Sequence, residues 1–291
     1  LNQDNKGLTY ALTAYLIWGS FALFFHLLRH IPSAEVLAHR IIWSFVLVAV
    51  ILSLKSNWHA VLRALRDRSL LLRLIASSLL IAINWLVYIW AVSQGRIIDS
   101  SLGYFINPLV SVLLATMFLK ESLSRAQLIA VVLALVGVIY QVLVSGSLPW
   151  IALVLAFSFG TYGLIRKQTA VDTVTGLMVE TLVLLPLALG YWLWLLGTDT
   201  NHFDAAANGL LLIAAGIMTA VPLLAFAAAA KHLSLTVLGF MIYIAPSLQF
   251  LSGVFILGDE LSTQRLISFC FIWLALIIFS VDTIRRVRKQ T

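Results

Sequence analysis

Hydrophobic residues in this chain come in long unbroken runs, and polar residues gather in the short gaps between them. Cutting at the charged and turn-forming gaps leaves ten apolar stretches, near residues 8–28, 34–54, 70–93, 100–119, 125–144, 149–166, 174–196, 207–230, 235–257 and 264–284. Each approaches the roughly 20 residues that a helix needs to cross the hydrocarbon of a bilayer. The runs are continuous and rich in Leu and Ala rather than alternating, which predicts helices and argues against a membrane barrel. Residues 55–69 differ. There Trp58, Val61, Leu62 and Leu65 recur at helical spacing among Arg63, Arg66 and Arg68, the pattern of a short helix lying on an anionic membrane surface. Residues 197–206 read as an acidic loop without a motif.

One segment is written twice. Leu102-Gly103-Tyr104 returns as Leu238-Gly239-Phe240 and, after a two-residue slip, a gapless register pairs Pro108 with Pro246, Leu119 with Leu257 and Glu121 with Asp259. It continues through Leu123-Ser124 with Leu261-Ser262 and Leu128-Ile129 with Leu266-Ile267. Trp18-Gly19-Ser20 and Phe159-Gly160-Thr161 match more weakly. Five runs separate the copies, and an odd number turns the second upside down, as in the inverted repeats of alternating-access carriers. The fold expected is an all-α polytopic membrane protein of ten transmembrane helices, arranged as two inverted five-helix repeats over residues 1–146 and 147–291.

Composition agrees with this. Hydrophobic residues make up 62% of the chain and charged residues 11%, against about 25% charged in soluble domains, so the apolar excess must face lipid. A net charge of +7 could suggest nucleic acid, but the basic residues sort by side. With the N-terminus in the cytoplasm, inner segments hold the Arg63–Arg73 group, the Lys120/Arg125 turn, Arg166-Lys167 and the Arg285–Lys289 tail, while outer segments hold only Arg29, Arg96 and Arg265. That is a positive-inside bias with both termini cytoplasmic; no nucleic-acid partner is expected. The single Cys270 rules out an internal disulfide and reads as packing. The first run is long enough to be a retained span rather than a cleaved signal.

Ionisable and polar groups inside the runs are the candidates for chemistry, because each is costly in hydrocarbon and normally faces a partner or a wet cavity. Arg40 and His39 lie in the second run and Glu180 in the seventh, its counterpart. Arg40 could hold an anionic group, and Glu180 an amine or a coupling proton. The competing reading is a structural Arg40–Glu180 pair joining the halves. Asn84 and Tyr88 share one helical face and, with Gln94, either line a cavity or bond to neighbouring helices. Pro108 and Pro246 interrupt equivalent fourth helices and suggest hinges, with Tyr104, Asn107, Tyr243 and Gln249 the polar groups nearest them. Trp18, Trp90 and Tyr162 could wall an apolar cavity or sit at the interfaces. Glu121, Asp259 and Glu260 read as helix-start and loop anchors. Among motifs, no phosphate-cradling glycine loop, zinc-ligand spacing or Gly-x-Ser-x-Gly occurs, so no metal or cofactor is expected.

Two five-helix units, each closing its fourth helix with an acidic turn before a Ser-started fifth, resemble the drug/metabolite transporter superfamily. Tyr15-Leu16-Ile17-Trp18-Gly19, Ala38-His39-Arg40, Asn84-Trp85 and the stretch from Gly103 to Leu109 resemble its EamA group and, within that, RarD-type permeases. The resemblance implies a carrier in the bacterial inner membrane with a central cavity between its halves. Such carriers mostly export small metabolites, amino acids or drugs, and RarD-type members are often described as chloramphenicol permeases. The partners expected are a small-molecule substrate and the bilayer; whether a proton or the substrate gradient alone drives transport, and whether the chain forms a homodimer, is left open. The alternatives are an intramembrane enzyme acting on a lipid-linked substrate, for which no metal cluster or activated nucleophile is visible, and a non-transporting structural subunit.

Overall fold

A computed structural model of the chain describes residues 3–54, 57–120, 123–169, 171–204, 207–230, 232–233, 237–238 and 241–290. Lys55, Glu121, Lys231 and the Gly239-Phe240 part of the repeat lie outside them. The described residues form twelve α-helices: α1 Gln3–Gly19, α2 Phe21–Leu27, α3 Ser33–Leu54, α4 Trp58–Arg66, α5 Arg68–Ser93, α6 Ile97–Leu119, α7 Arg125–Ser145, α8 Trp150–Lys167, α9 Thr173–Gly197, α10 Ala207–Ala229, α11 Ile244–Leu251 and α12 Thr263–Gln290. A π-helical turn over Ser252–Ile256 continues α11.

The helices start where short polar side chains can satisfy free backbone N–H groups. Asp67 accepts from Ser69 and Leu70 before α5, and Asp172 from Val174 and Thr175 before α9. Ser124 and Gln127 form a capping box at α7, and Ser262 accepts from Arg265 at the start of α12. Seven described helices are long and apolar enough to cross a membrane, or eight when the bent α1–α2 pair counts as one span. Their outer faces carry Leu79, Ile83 and Leu86 of α5, Leu128, Leu135 and Leu143 of α7, and Leu274 and Ile277 of α12, all exposed. In water such a surface would aggregate; it is the surface of an all-helical membrane protein.

Small residues let the helices approach closely, as lipid-embedded bundles require. A Cβ on Gly216 of α10 would lie 2.6 Å from the Ser44 backbone nitrogen of α3, and one on Gly103 of α6 would lie 2.8 Å from the Ala152 carbonyl oxygen of α8. Helices from the two halves of the chain interleave: α3 packs on α9 and α10, α5 and α6 on α8, α1 on α10 and α11, and α7 on α12.

Three sequence expectations change. The run at 8–28 is broken rather than continuous: α1 and α2 meet at a 41° bend. Gly19 is pressed against Leu248, and the Ser20 hydroxyl donates to the Ile17 carbonyl at 2.8 Å, a Gly-Ser pair of the kind that kinks helices. In the run at 235–257 the described residues are helical at 237–238 and 241, and after a turn at 242–243 the short α11 and its π turn follow. Pro246 occupies the first turn of α11, where a missing N–H breaks no helical bond, whereas Pro108 lies inside α6. Cys270 is exposed on α12 rather than packed. The amphipathic segment does form α4, with Val61 and Ala64 buried and Trp58 and Leu65 against the α3–α5–α9 core.

Candidate functional site

Side chains from three helices close around the guanidinium of Arg40. α3 turns this residue inward until it is 3% exposed. Its Nε donates to Thr219 Oγ1 of α10 at 2.5 Å, and Thr219 donates onward to the Ala215 carbonyl at 2.9 Å. The guanidinium carbon lies 4.2 Å from the centroid of Trp85 of α5, and 5.4 Å from those of Phe21 and Phe25 of α2. The same two phenylalanines touch the ring of Tyr88, at 6.3 and 6.0 Å. The phenol of Tyr88 and the Nη1 of Arg40 are both buried without a hydrogen-bond partner.

The local sequence accounts for this cage. Phe21 and Phe25 are four apart and share a face of α2, while Ser77, Asn84 and Tyr88 fall on the buried face of α5. The energetics do not close. Cation–π attraction returns about 2 kcal/mol for a desolvated contact, and of the three rings Trp85 is the nearest. Removing an unpaired charge from water costs several kcal/mol. Among the described residues no carboxylate is paired with Arg40.

Next to the cage, Asn84 ties three helices. Its Nδ2 donates to the Leu155 carbonyl and to Ser158 Oγ of α8, both at 3.0 Å, and its Oδ1 accepts from the Tyr104 hydroxyl of α6 at 3.2 Å. The rings of Tyr104 and Tyr88 lie 5.7 Å apart. Asn107, beside Pro108, has a buried Oδ1 without a partner, close to Gly160 of α8.

Glu180 lies elsewhere, which corrects the expected Arg40–Glu180 pair. On α9, and 2% exposed, it accepts from Ser77 Oγ of α5 at 2.7 Å and from the Tyr162 hydroxyl of α8 at 3.4 Å. Its counter-charge is Arg166 of α8, with Nε 3.6 Å from Oε1. The guanidinium of Arg166 lies flat on Gly176 of α9: a Cβ there would sit 2.1 Å from both terminal nitrogens.

The remaining candidates disperse. His39 stacks on Phe203 at 4.9 Å and meets Trp192 edge-on; both its ring nitrogens lack partners. Gln249 Nε2 donates to the Trp18 carbonyl at 3.0 Å, bridging α11 to the bend after α1, and the Trp18 ring packs on Tyr15 and Phe226. Tyr243 reaches Ser280 of α12. Trp90 and Gln94 line a shallow depression of about 350 Å³ with Arg29 and His30, away from Arg40.

On the same side as that depression, carboxylates fasten helix starts. Asp259 accepts from the Ile98 N–H of α6 at 2.9 Å, so it does anchor a helix start, though that of α6 rather than the helix following it. Burial holds its carboxyl above the usual range, with backbone N–H donors at Ile98 and Ile97 pulling the other way. Asp99 pairs with Arg96 at 2.8 Å and Arg265 at 3.8 Å, and buried Glu35 accepts from His202 through backbone N at 2.6 Å and Nδ1 at 2.7 Å.

Sequence reasoning missed Arg166, Ser77, Thr219, Phe21, Phe25 and Gly176. The spacings of Ser77 with Asn84, and of Tyr162 with Arg166, were the available signals, since both put polar groups on one helical face.

Residues 5–143 match the model of the EamA-like transporter family. The protein RarD of Salmonella typhimurium is 45% identical over 290 residues, covering 99% of each chain. The chloramphenicol-sensitive protein RarD of Pseudomonas aeruginosa is 32% identical, covering 99% of this chain and 97% of its own. A crystal structure of another protein, 18% identical, superposes with a TM-score of 0.61 over 94% of this chain and 96% of that one, which shows a shared fold.

Proposed function

Because the chain belongs to the EamA-like transporter family, among its RarD-type members, we propose that it is a carrier moving a small metabolite, amino acid or drug across the bacterial inner membrane by alternating access, in the export direction. Ten crossings in two inverted repeats, residues 1–146 and 147–291, form the frame. Positive-inside sorting sets both termini in the cytoplasm.

One observation carries this reading. Gly19 is pressed against Leu248, and Gly160 meets Val110 first. Gly19 and Gly160 are matched positions of the two first helices, and the register that pairs Pro108 with Pro246 pairs Val110 with Leu248. The same contact is thus made twice, once by each half upon the other. The helix pairs follow suit: α5 on α8 answers α1 on α10, α6 on α8 answers α1 on α11, and α3 on α9, α6 on α11 and α7 on α12 are their own counterparts. Two equivalent interlocked halves can exchange conformations, which is what opening first to one side and then to the other requires.

Within that frame Arg40 contacts substrate. Glu180, with Arg166, Ser77 and Tyr162, is the proton-coupling position, and the Asp259 and Asp99 contacts close the outer side. Nothing in the site calls for a reaction on the cargo. Counterflow in proteoliposomes, with labelled amino acids, organic acids and chloramphenicol, and with or without a pH gradient, tests the reading. Accumulation of at least one unmodified compound is expected. A correctly folded and inserted protein that moves none of them, or returns them chemically changed, overturns it.

A further inference from the structure

Arg40 and Tyr88 offer two buried polar donors to one spot. The rings of Phe21 and Phe25 touch both the guanidinium and the phenol, so the two groups occupy one cage. Neither Arg40 Nη1 nor the Tyr88 hydroxyl has a partner, whereas the groups around them are committed: Arg40 Nε to Thr219, Thr219 to Ala215, and the Tyr104 hydroxyl to Asn84. A membrane interior does not leave a cation and a hydroxyl unsatisfied without a reason. Among the described residues no counter-charge faces Arg40, which leaves room for one supplied from outside.

We infer that the Arg40 cage binds the carboxylate of an organic monocarboxylate with an apolar body, as the substrate class of the carrier. One free guanidinium N–H side and one phenol match the two oxygens of a carboxylate, one acceptor for each donor. A phosphate would leave its remaining oxygens facing Phe21, Phe25 and Trp85. The cage also discriminates against amino acids. Among the described residues no Asp or Glu reaches it, because Glu180 is held by Arg166, Ser77 and Tyr162 in a separate cluster, so an α-ammonium would be buried without a partner. The aromatic walls suit a flat or aliphatic body next to the carboxylate. Access is through α2: Phe21 and Phe25 stand on the short segment beyond the 41° bend, the part of the cage that can swing without moving a full crossing.

This inference rests on the carrier reading, and its test separates the two. Radiolabelled phenylacetate is bound to the full chain in nanodiscs and competed with hexanoate, phenylacetamide, phenylalanine and inorganic phosphate. Hexanoate is expected to compete well, and the amide, the zwitterion and phosphate at least about tenfold more weakly, as loss of a hydrogen bond to a charged group requires. Arg40→Gln is expected to weaken binding by at least about tenfold and Tyr88→Phe by a smaller factor of about threefold to tenfold. Competition by the amide or phenylalanine equal to that of hexanoate overturns the inference, as does full binding by a folded Arg40→Gln protein or no binding of phenylacetate to the parent. The competition series on the parent decides the matter even where a variant fails to fold. Counterflow then distinguishes the failures. A parent that transports neutral or zwitterionic compounds untouched by phenylacetate remains a carrier and loses this site. A parent that binds phenylacetate as expected but moves nothing keeps the site and loses the carrier reading.

Discussion

Two arginines are held inside this protein, and they are held in opposite ways. Arg166 on α8 faces Glu180 at 3.6 Å, and Ser77 and Tyr162 occupy the same carboxylate. Arg40 on α3 has a threonine, three aromatic rings and a terminal nitrogen with no partner. The first, the closed side, has its counter-charge within the fold, although Arg166 Nη1 is likewise buried without a hydrogen-bond partner; the difference lies in the carboxylate. The second, the open side, has no carboxylate facing it among the described residues. Interior charge is therefore not a single category: one arginine meets a carboxylate of the fold, and the other is the proposed ligand contact.

The largest effect that bears on this contrast is on the closed side. Glu180→Ala strands Arg166 and should cost about 3–5 kcal/mol, the usual penalty for removing one partner of a buried pair. A steric-trap or denaturant titration in bicelles measures it, and a loss below about 1 kcal/mol would mean the pair is wet. Gly176→Ala follows, since the new methyl collides with the Arg166 guanidinium; a loss of about 1–3 kcal/mol is expected for such overpacking. Double-mutant analysis with Arg166→Met should remove most of that loss, because the collision is with this side chain. On the open side the sign reverses. Arg40→Met replaces an unpaired buried charge by an apolar side chain among Trp85, Phe21 and Phe25, and should stabilise the ligand-free protein by about 1 kcal/mol. A marked destabilisation would show that the cage satisfies Arg40 after all and would dissolve the comparison.

Much of this architecture was legible in the sequence. The crossing runs, the Ser124 cap, the amphipathic α4 and the Gly-bearing repeat all follow from periodicity and residue type. The pairing of charges did not. Arg40 and Glu180 invited each other as the charges of matched helices, yet each lies seven residues into its helix, counting from Ser33 and from Thr173. In the proposed inverted repeat those helices would begin on opposite faces, which would set the two charges about 10 Å deep from opposite sides. On that reading the symmetry that makes them equivalent also keeps them apart. The cage was hidden for another reason: Phe21 and Phe25 reach Arg40 only because the chain bends at Gly19-Ser20, and a Gly-Ser pair inside an apolar run does not announce its direction. Likewise Gly176 carries no signal of its own until the guanidinium lying on it is seen.

The smallest expected effect probes the entry to the closed side. Asp172 caps α9 eight positions before Glu180, accepting from the Val174 and Thr175 N–H groups at 3.0 and 3.1 Å and from the Thr175 hydroxyl at 2.6 Å. Burial pushes its carboxyl up, but these hydrogen bonds outweigh burial and hold it below the usual carboxylate value. A depressed folded pKa means that the stabilisation is present above the unfolded value, about 3.9, and is lost as pH falls through the folded one. Asp172→Ala should therefore cost about 1 kcal/mol near neutral pH and progressively less in acid, so that the variant and parent converge. Asp172→Asn, which still accepts a hydrogen bond but lacks the charge, should lose less and show no such convergence. If Asp172→Ala instead matched Glu180→Ala in magnitude, the start of α9 and the Arg166–Glu180 circuit would be one cooperative unit, and the closed side would owe its closure to the cap as much as to the ion pair.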